Sequence, residues 1–141
     1  MATGDGVLYN DWKRALLRGN GADVQGAGAI KVALLTATYT PDIDAHTVYG
    51  DLTNELSGTG YTSGGAALTG VSVTVDNTND RGKLDADNPS WSGINAGTAK
   101  WAVFYLTGTG GLIGYWDTGG IVTNGGDLTL SLSANGLVLL T

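Results

Sequence analysis

In the last third of the chain, Leu128, Leu130 and Leu132 alternate with Thr129, Ser131 and Ser133. A period of two turns one side of an extended chain to a core and the other to water, so it specifies a half-buried β-strand. Similar short runs recur along the sequence, separated by glycine-rich corners. Ala99–Leu106 reads AKWAVFYL, with Trp101, Val103 and Tyr105 on one face and Ala102, Phe104 and Leu106 on the other. Val71, Val73 and Val75 alternate with Ser72 and Thr74. Residues 29–36 hold Ile30, Val32 and Leu34 on one side and Ala33 and Leu35 on the other, and a strand apolar on both faces belongs inside a sheet. Seven to nine such strands at regular spacing predict a mainly β fold: an antiparallel β-sandwich or barrel-like domain.

The turns follow from the same reading. Residues 107–111 (TGTGG) predict a hairpin between Leu106 and Leu112–Trp116. Gly119-Gly120 predicts another turn before a short strand at Ile121-Val122, and Asn135-Gly136 predicts a type I′ turn. Gly82–Ala86 predicts a return strand after the polar turn Asp76–Asp80. One helix is expected, over residues 8–18. Leu8, Trp12, Ala15 and Leu16 form its apolar stripe, and Lys13, Arg14 and Arg18 lie on a solvated face near its negative end. Residues 1–7 read as a flexible arm, and Gly21–Gly28 as a linker-like loop. With 141 residues and no internal repeat, residues 1–141 form one domain, with a sheet body over 29–141.

The sheet body is interrupted by one long irregular excursion, residues 39–66. Thr40-Pro41-Asp42 ends the preceding strand, since proline cannot donate to a ladder. The excursion holds the only histidine, His46, and the only glutamate, Glu55. A Ser/His/Asp triad would have to use His46, and no serine stands in a G-x-S-x-G context. Asp42, Asp44 and His46 have the donor types of a weak metal site, but their setting fits a solvated loop better. Asp76–Asp87 has the outline of a calcium loop, yet its glycine falls at the seventh place and its twelfth residue is Asp. A β-turn with Asx hydrogen bonds explains it better. No carboxylate pair is placed across a cleft as glycoside hydrolysis needs. Trp91, Trp101, Tyr105, Tyr115 and Trp116 fit a core or a subunit interface better than a sugar platform. The residues therefore support a structural or binding protein, with no catalytic residue and no cofactor, rather than an enzyme.

Composition narrows the partners. The formal net charge is −6 with seven basic residues, which argues against nucleic acid and against an anionic membrane surface. No apolar run reaches the length of a membrane span, and no secretory signal is expected at the start of the chain. There is no cysteine. Charged residues make up 14%, against an average of about 25%. A chain so short of charge and so rich in glycine fits either a surface covered by partners or a β protein with many turns.

The run IKVALLTATYTPDIDAHTVYGDLTNELSGTGYTSGGAAL at Ile30–Leu68 resembles a group of small virion proteins of tailed bacteriophages. Further matches are LYNDWKRALLRGN, VTVDNTNDRGKLDADNPSW and AKWAVFYLTGTGGLIGYWD, so the resemblance covers most of the chain. It implies a capsid decoration, or cement, protein: one made in the host cytoplasm that coats the outer capsid surface, binds the major capsid protein and bridges its subunits, often as a homotrimer. A tail or fibre component that binds a host receptor or glycan is the alternative. On this reading the contact residues are Tyr39, Pro41, Ile43, Tyr49 and Tyr61 of the excursion, exposed or half-exposed, with Trp12 of the helix.

Overall fold

The computed structural model describes residues 6–19, 24–26 and 28–141. The expected arm therefore lies, for residues 1–5, outside the described residues, and so do four of the eight residues of the expected linker (21–23 and 27). In chain order the elements are β1 (Val7–Leu8), α1 (Asn10–Leu17), β2 (Ile30–Leu35), a 3-10 turn (Tyr49–Asp51), β3 (Ala66–Ala67), β4 (Ser72–Asp76), β5 (Arg81–Asp85), β6 (Ser90–Trp91), β7 (Thr98–Leu106), β8 (Leu112–Val122), β9 (Leu128–Thr129) and β10 (Val138–Leu140).

The two strongest strands of the sequence pair with each other. β2 and β7 run antiparallel from Ile30↔Leu106 to Leu35↔Trp101, at the centre of a five-stranded sheet ordered β1-β8-β7-β2-β3. Both faces of this sheet are covered, which is why its strands are apolar on both sides. One face carries Ile30, Val32, Leu34, Ala102, Phe104, Ile113 and Trp116, packed against the helix and two smaller sheets, β10-β5-β4 and β6-β9. The other carries Ala33, Leu35, Val103, Tyr105 and Leu112, packed against Tyr9 and Tyr39. The fold is mainly β and antiparallel with one short N-terminal helix, as the alternation predicts. Of the two arrangements expected, the sheets pack as layers, and among the described residues no closed barrel forms.

Four local expectations differ. The helix begins at Asn10 because Val7 and Leu8 are held as a strand against Tyr115 and Gly114 of β8. A Cβ at Gly114 would lie 2.8 Å from the Val7 carbonyl oxygen, so glycine permits that pairing. Gly119-Gly120 does not turn the chain: β8 runs through it to Val122. The irregularity is absorbed by a register shift between Ala99 and Trp101, where the Thr118 hydroxyl donates to the Ala99 carbonyl at 2.7 Å. Leu128–Ser133 keeps its inward alternation, with Leu130 fully buried, but only Leu128–Thr129 forms a ladder; the Leu130 amide donates to the Pro89 carbonyl instead. Asn135-Gly136 sits one step late for a type I′ turn, because the Gly136 amide closes on the Ser133 carbonyl.

Candidate functional site

The excursion folds as a lid over the second face of the main sheet. It is tied there by backbone bonds: the Thr36 amide donates to the Asn54 carbonyl, the Tyr49 amide to Gly110, the Leu56 amide to Leu34, and the Leu112 amide to Thr47. These contacts seat the loop on β2 and on the β7–β8 hairpin. Between loop and sheet lies a layer of aromatic rings. Tyr49 stacks on Tyr105 with centroids 4.7 Å apart, Tyr9 packs at 5.4 Å from Tyr115, and Trp101 meets Tyr115 edge-on at 5.6 Å.

Two hydrogen-bonded nodes organise that layer. The first is Glu55. It accepts the Tyr49 hydroxyl at 2.5 Å, the Tyr61 hydroxyl at 2.6 Å and the Gly64 amide at 2.7 Å. Tyr61 also accepts the Leu34 amide at 3.0 Å, and the Tyr105 hydroxyl donates to the Gly64 carbonyl at 2.6 Å. One carboxylate thus gathers the middle of the excursion, at Tyr49, and its last corner, at Tyr61 and Gly64, and Tyr61 and Tyr105 tie that corner to β2 and β7. The corner it holds passes very close to β2. A Cβ on Gly65, whose φ is +78°, would lie 1.8 Å from the Val32 carbonyl oxygen.

The second node is a chain of three rings. The Asp42 amide donates to His46 Nδ1 at 3.3 Å, so this nitrogen carries the lone pair, and the Tyr39 hydroxyl donates to it at 2.8 Å. The Tyr9 and Tyr39 hydroxyls share a bond of 3.1 Å. The remaining acids are committed in the same way. Asp42 accepts the amides of Asp44 and Ala45, Asp51 accepts those of Thr47 and Val48, and Asp44 accepts the Asn10 side-chain amide.

The electrostatics follow from these partners. Asp42 and Asp51 are held below the usual carboxyl range by backbone N–H groups, from Ala45 and Asp44 and from Thr47 and Val48 respectively. Tyr9 and Tyr61 are pushed up by burial, then by their bonds to Tyr39 and Glu55; Tyr49 is raised by burial and by Glu55; burial pushes Tyr105 up to about 12. The phenols stay neutral donors across the ordinary pH range. Asp76, the first residue of the calcium-loop outline, accepts from the Asn79 side chain and from Arg81, and its carboxyl is lowered by them. Among the described residues, no three His, Cys, Asp or Glu side chains converge as a metal would require.

The expected contact residues divide. Pro41, Ile43, Tyr49 and Tyr61 are half-buried, and Tyr49 and Tyr61 turn their hydroxyls inward to Glu55. Tyr39 is 2% exposed, so it is not the exposed contact that the sequence suggests: the Tyr9 bond and the Trp101 indole N–H, which donates to its carbonyl, hold it under the lid. Trp12 is 4% exposed and packs into the core beneath the helix. The aromatic set also lies inward. Trp91, Tyr105 and Trp116 are buried, with Trp116 edge-on against Phe104 at 4.6 Å, while Trp101 and Tyr115 are half-buried and meet each other edge-on. Sequence reasoning missed Glu55 and Tyr9. A lone glutamate between tyrosines in a chain this poor in charge was the available signal.

Comparison with protein-family models, with curated proteins and with solved structures returned no match.

Proposed function

We propose that this protein is a structural, non-enzymatic component of a tailed-phage virion that binds the outer capsid surface and bridges capsid subunits. The observation that carries the non-enzymatic part is the commitment of the excursion's polar chemistry. Asp42, Asp44, His46, Asp51 and Glu55 each hold an internal hydrogen bond. A general base or nucleophile needs a free position facing substrate. A loop whose acids and histidine all brace its own shape presents a fixed contour, which suits contact with a partner. The resemblance of the sequence to small virion proteins supplies the partner, the major capsid protein. The half-buried Pro41 and Ile43 and the exposed Val48 remain on the outer side of the lid as contact candidates.

The test is binding of purified protein to expanded capsids of the phage that carries it. Co-sedimentation with capsids and a rise in their resistance to heat are expected. Binding to host cells or glycans without capsids would move the protein to the tail or fibre.

A further inference from the structure

Among the described residues, the sheet β10-β5-β4 ends in an open edge. In the order β10-β5-β4, strand β4 is outermost, and it is five residues long. Sheet edges are normally blunted by charge, proline, a bulge or brevity. Among the described residues the other outer strands follow that rule: β1, β3, β6 and β9 have two residues each and β10 has three. The outer side of β8 beyond Tyr115 carries Asp117 and the Gly119-Gly120 irregularity. The middle of β4 is Val73-Thr74-Val75, uncharged, β-branched and exposed, with Val75 at 76% and Val73 at 49%.

The register shows which backbone groups face outward. The Leu84 carbonyl accepts the Leu137 amide next to β10. In an antiparallel ladder a residue turns its N–H and C=O to the same side, and sides alternate along the strand. Leu84 therefore turns away from Val73, its partner in β4, and Val73 and Val75 turn their own N–H and C=O to the open side.

We infer that β4 pairs antiparallel with β4 of a second copy about a two-fold axis through Thr74. In that register Val73 faces Val75 of the other copy, and both present outward backbone groups, so two hydrogen-bonded pairs flank a non-bonded Thr74–Thr74 pair. Ser72 faces Asp76, whose charge is already matched by Arg81 at 2.8 Å, so no like charges meet. An axis perpendicular to the sheet keeps the valines on one face. They then extend the apolar row Val73–Leu84–Val138, which floors a groove of about 160 Å³ beneath Trp12 and Leu16. A pattern that opposes apolar to apolar when reversed on itself selects a second copy over an unrelated strand. One strand pair lies at the small end of specific interfaces, so the dimer is reversible and concentration-dependent. Its symmetry is two-fold and does not by itself build a trimer.

Sedimentation velocity over a concentration series tests this, together with two variants. The wild-type mass is expected to double as concentration rises. V73K/V75K, which places lysines opposite lysines on an already exposed face, is expected to lose the dimer while keeping its circular dichroism. T74C is expected to form a disulfide-linked dimer under mild oxidation faster than T78C in the adjacent turn, and the absence of other cysteines makes the link unambiguous. A wild-type monomer at every concentration, a trimer, a dimer that survives V73K/V75K, or equal linking of the two cysteine variants would overturn the inference. The assay uses the purified protein alone, so its outcome is separate from that of the capsid experiment.

Discussion

The lid over the main sheet and the β10-β5-β4 sheet meet the same requirement in opposite ways. Both are outer layers over the main sheet, on its opposite faces. The lid has little regular structure, yet its polar groups close on one another through Glu55, Asp42, Asp51 and the Tyr9–Tyr39–His46 chain. The small sheet has regular structure, yet among the described residues it ends in an unpaired strand with two exposed valines. Regularity of backbone is therefore a poor guide to which region is finished. What closes a surface is whether its donors, acceptors and apolar groups have partners.

That contrast is broken most severely at the lid's corner. Gly65→Ala meets the Val32 carbonyl at a positive φ, and is expected to destabilise by roughly 3 kcal/mol or more, read as a lower urea midpoint. Next comes Glu55→Ala, which strands two tyrosine hydroxyls and the Gly64 amide; a loss of about 2–4 kcal/mol is expected, with Glu55→Gln losing less. Tyr9→Phe removes one end of the ring chain and is expected to cost about 1 kcal/mol. His46→Ala breaks the other end at similar cost and should leave capsid binding nearly unchanged if the ring serves the fold alone. On the open side the same size of change should do almost nothing to stability: Val75→Thr is expected to fall within about 0.5 kcal/mol in thermal unfolding.

pH sharpens the comparison, because the lid holds its acids and phenols in opposite senses. Asp42 and Asp51 are depressed in the folded protein. They contribute stability that is present above the free carboxyl value of 3.8 and is lost as pH falls through their lower folded values. The raised tyrosines act at the other end. Their contribution is present below 10.0 and is lost as pH climbs from there through about 12, where Tyr105 titrates in the fold. Tyrosinate absorbance should therefore rise together with the loss of circular dichroism. A rise well before unfolding would mean that the phenols are not held as described.

Much of the framework was legible in the sequence, because a period of two reports which side of a strand is apolar. It marked β2 and β7 as the two strongest strands, apolar on both faces, and pointed to the antiparallel class. It does not report which strand lies alongside, so Leu130 kept its inward place while bonding to Pro89 outside any ladder. It also does not report whether an apolar side meets a core, and Val73 and Val75 read as buried strand positions yet lie open. Glycine pairs were ambiguous for a related reason. The same residue permits a turn, a bulge or a close approach, and only the neighbour decides, as at Gly119-Gly120. The candidate site was the least legible part. Tyr39 is polar at one atom and apolar over the rest, so its burial depended on Tyr9, thirty residues away.

Hydrogen exchange at single amides tests the contrast between closed lid and open edge most directly. At low protein concentration the Leu34 and Gly64 amides, which donate to Tyr61 and Glu55, should be strongly protected, while those of Val73 and Val75 exchange freely. Raising the concentration should then protect Val73 and Val75 and leave the lid unchanged. Fast exchange at Gly64, or protection of Val73 and Val75 that is already full in the dilute monomer, would contradict the account.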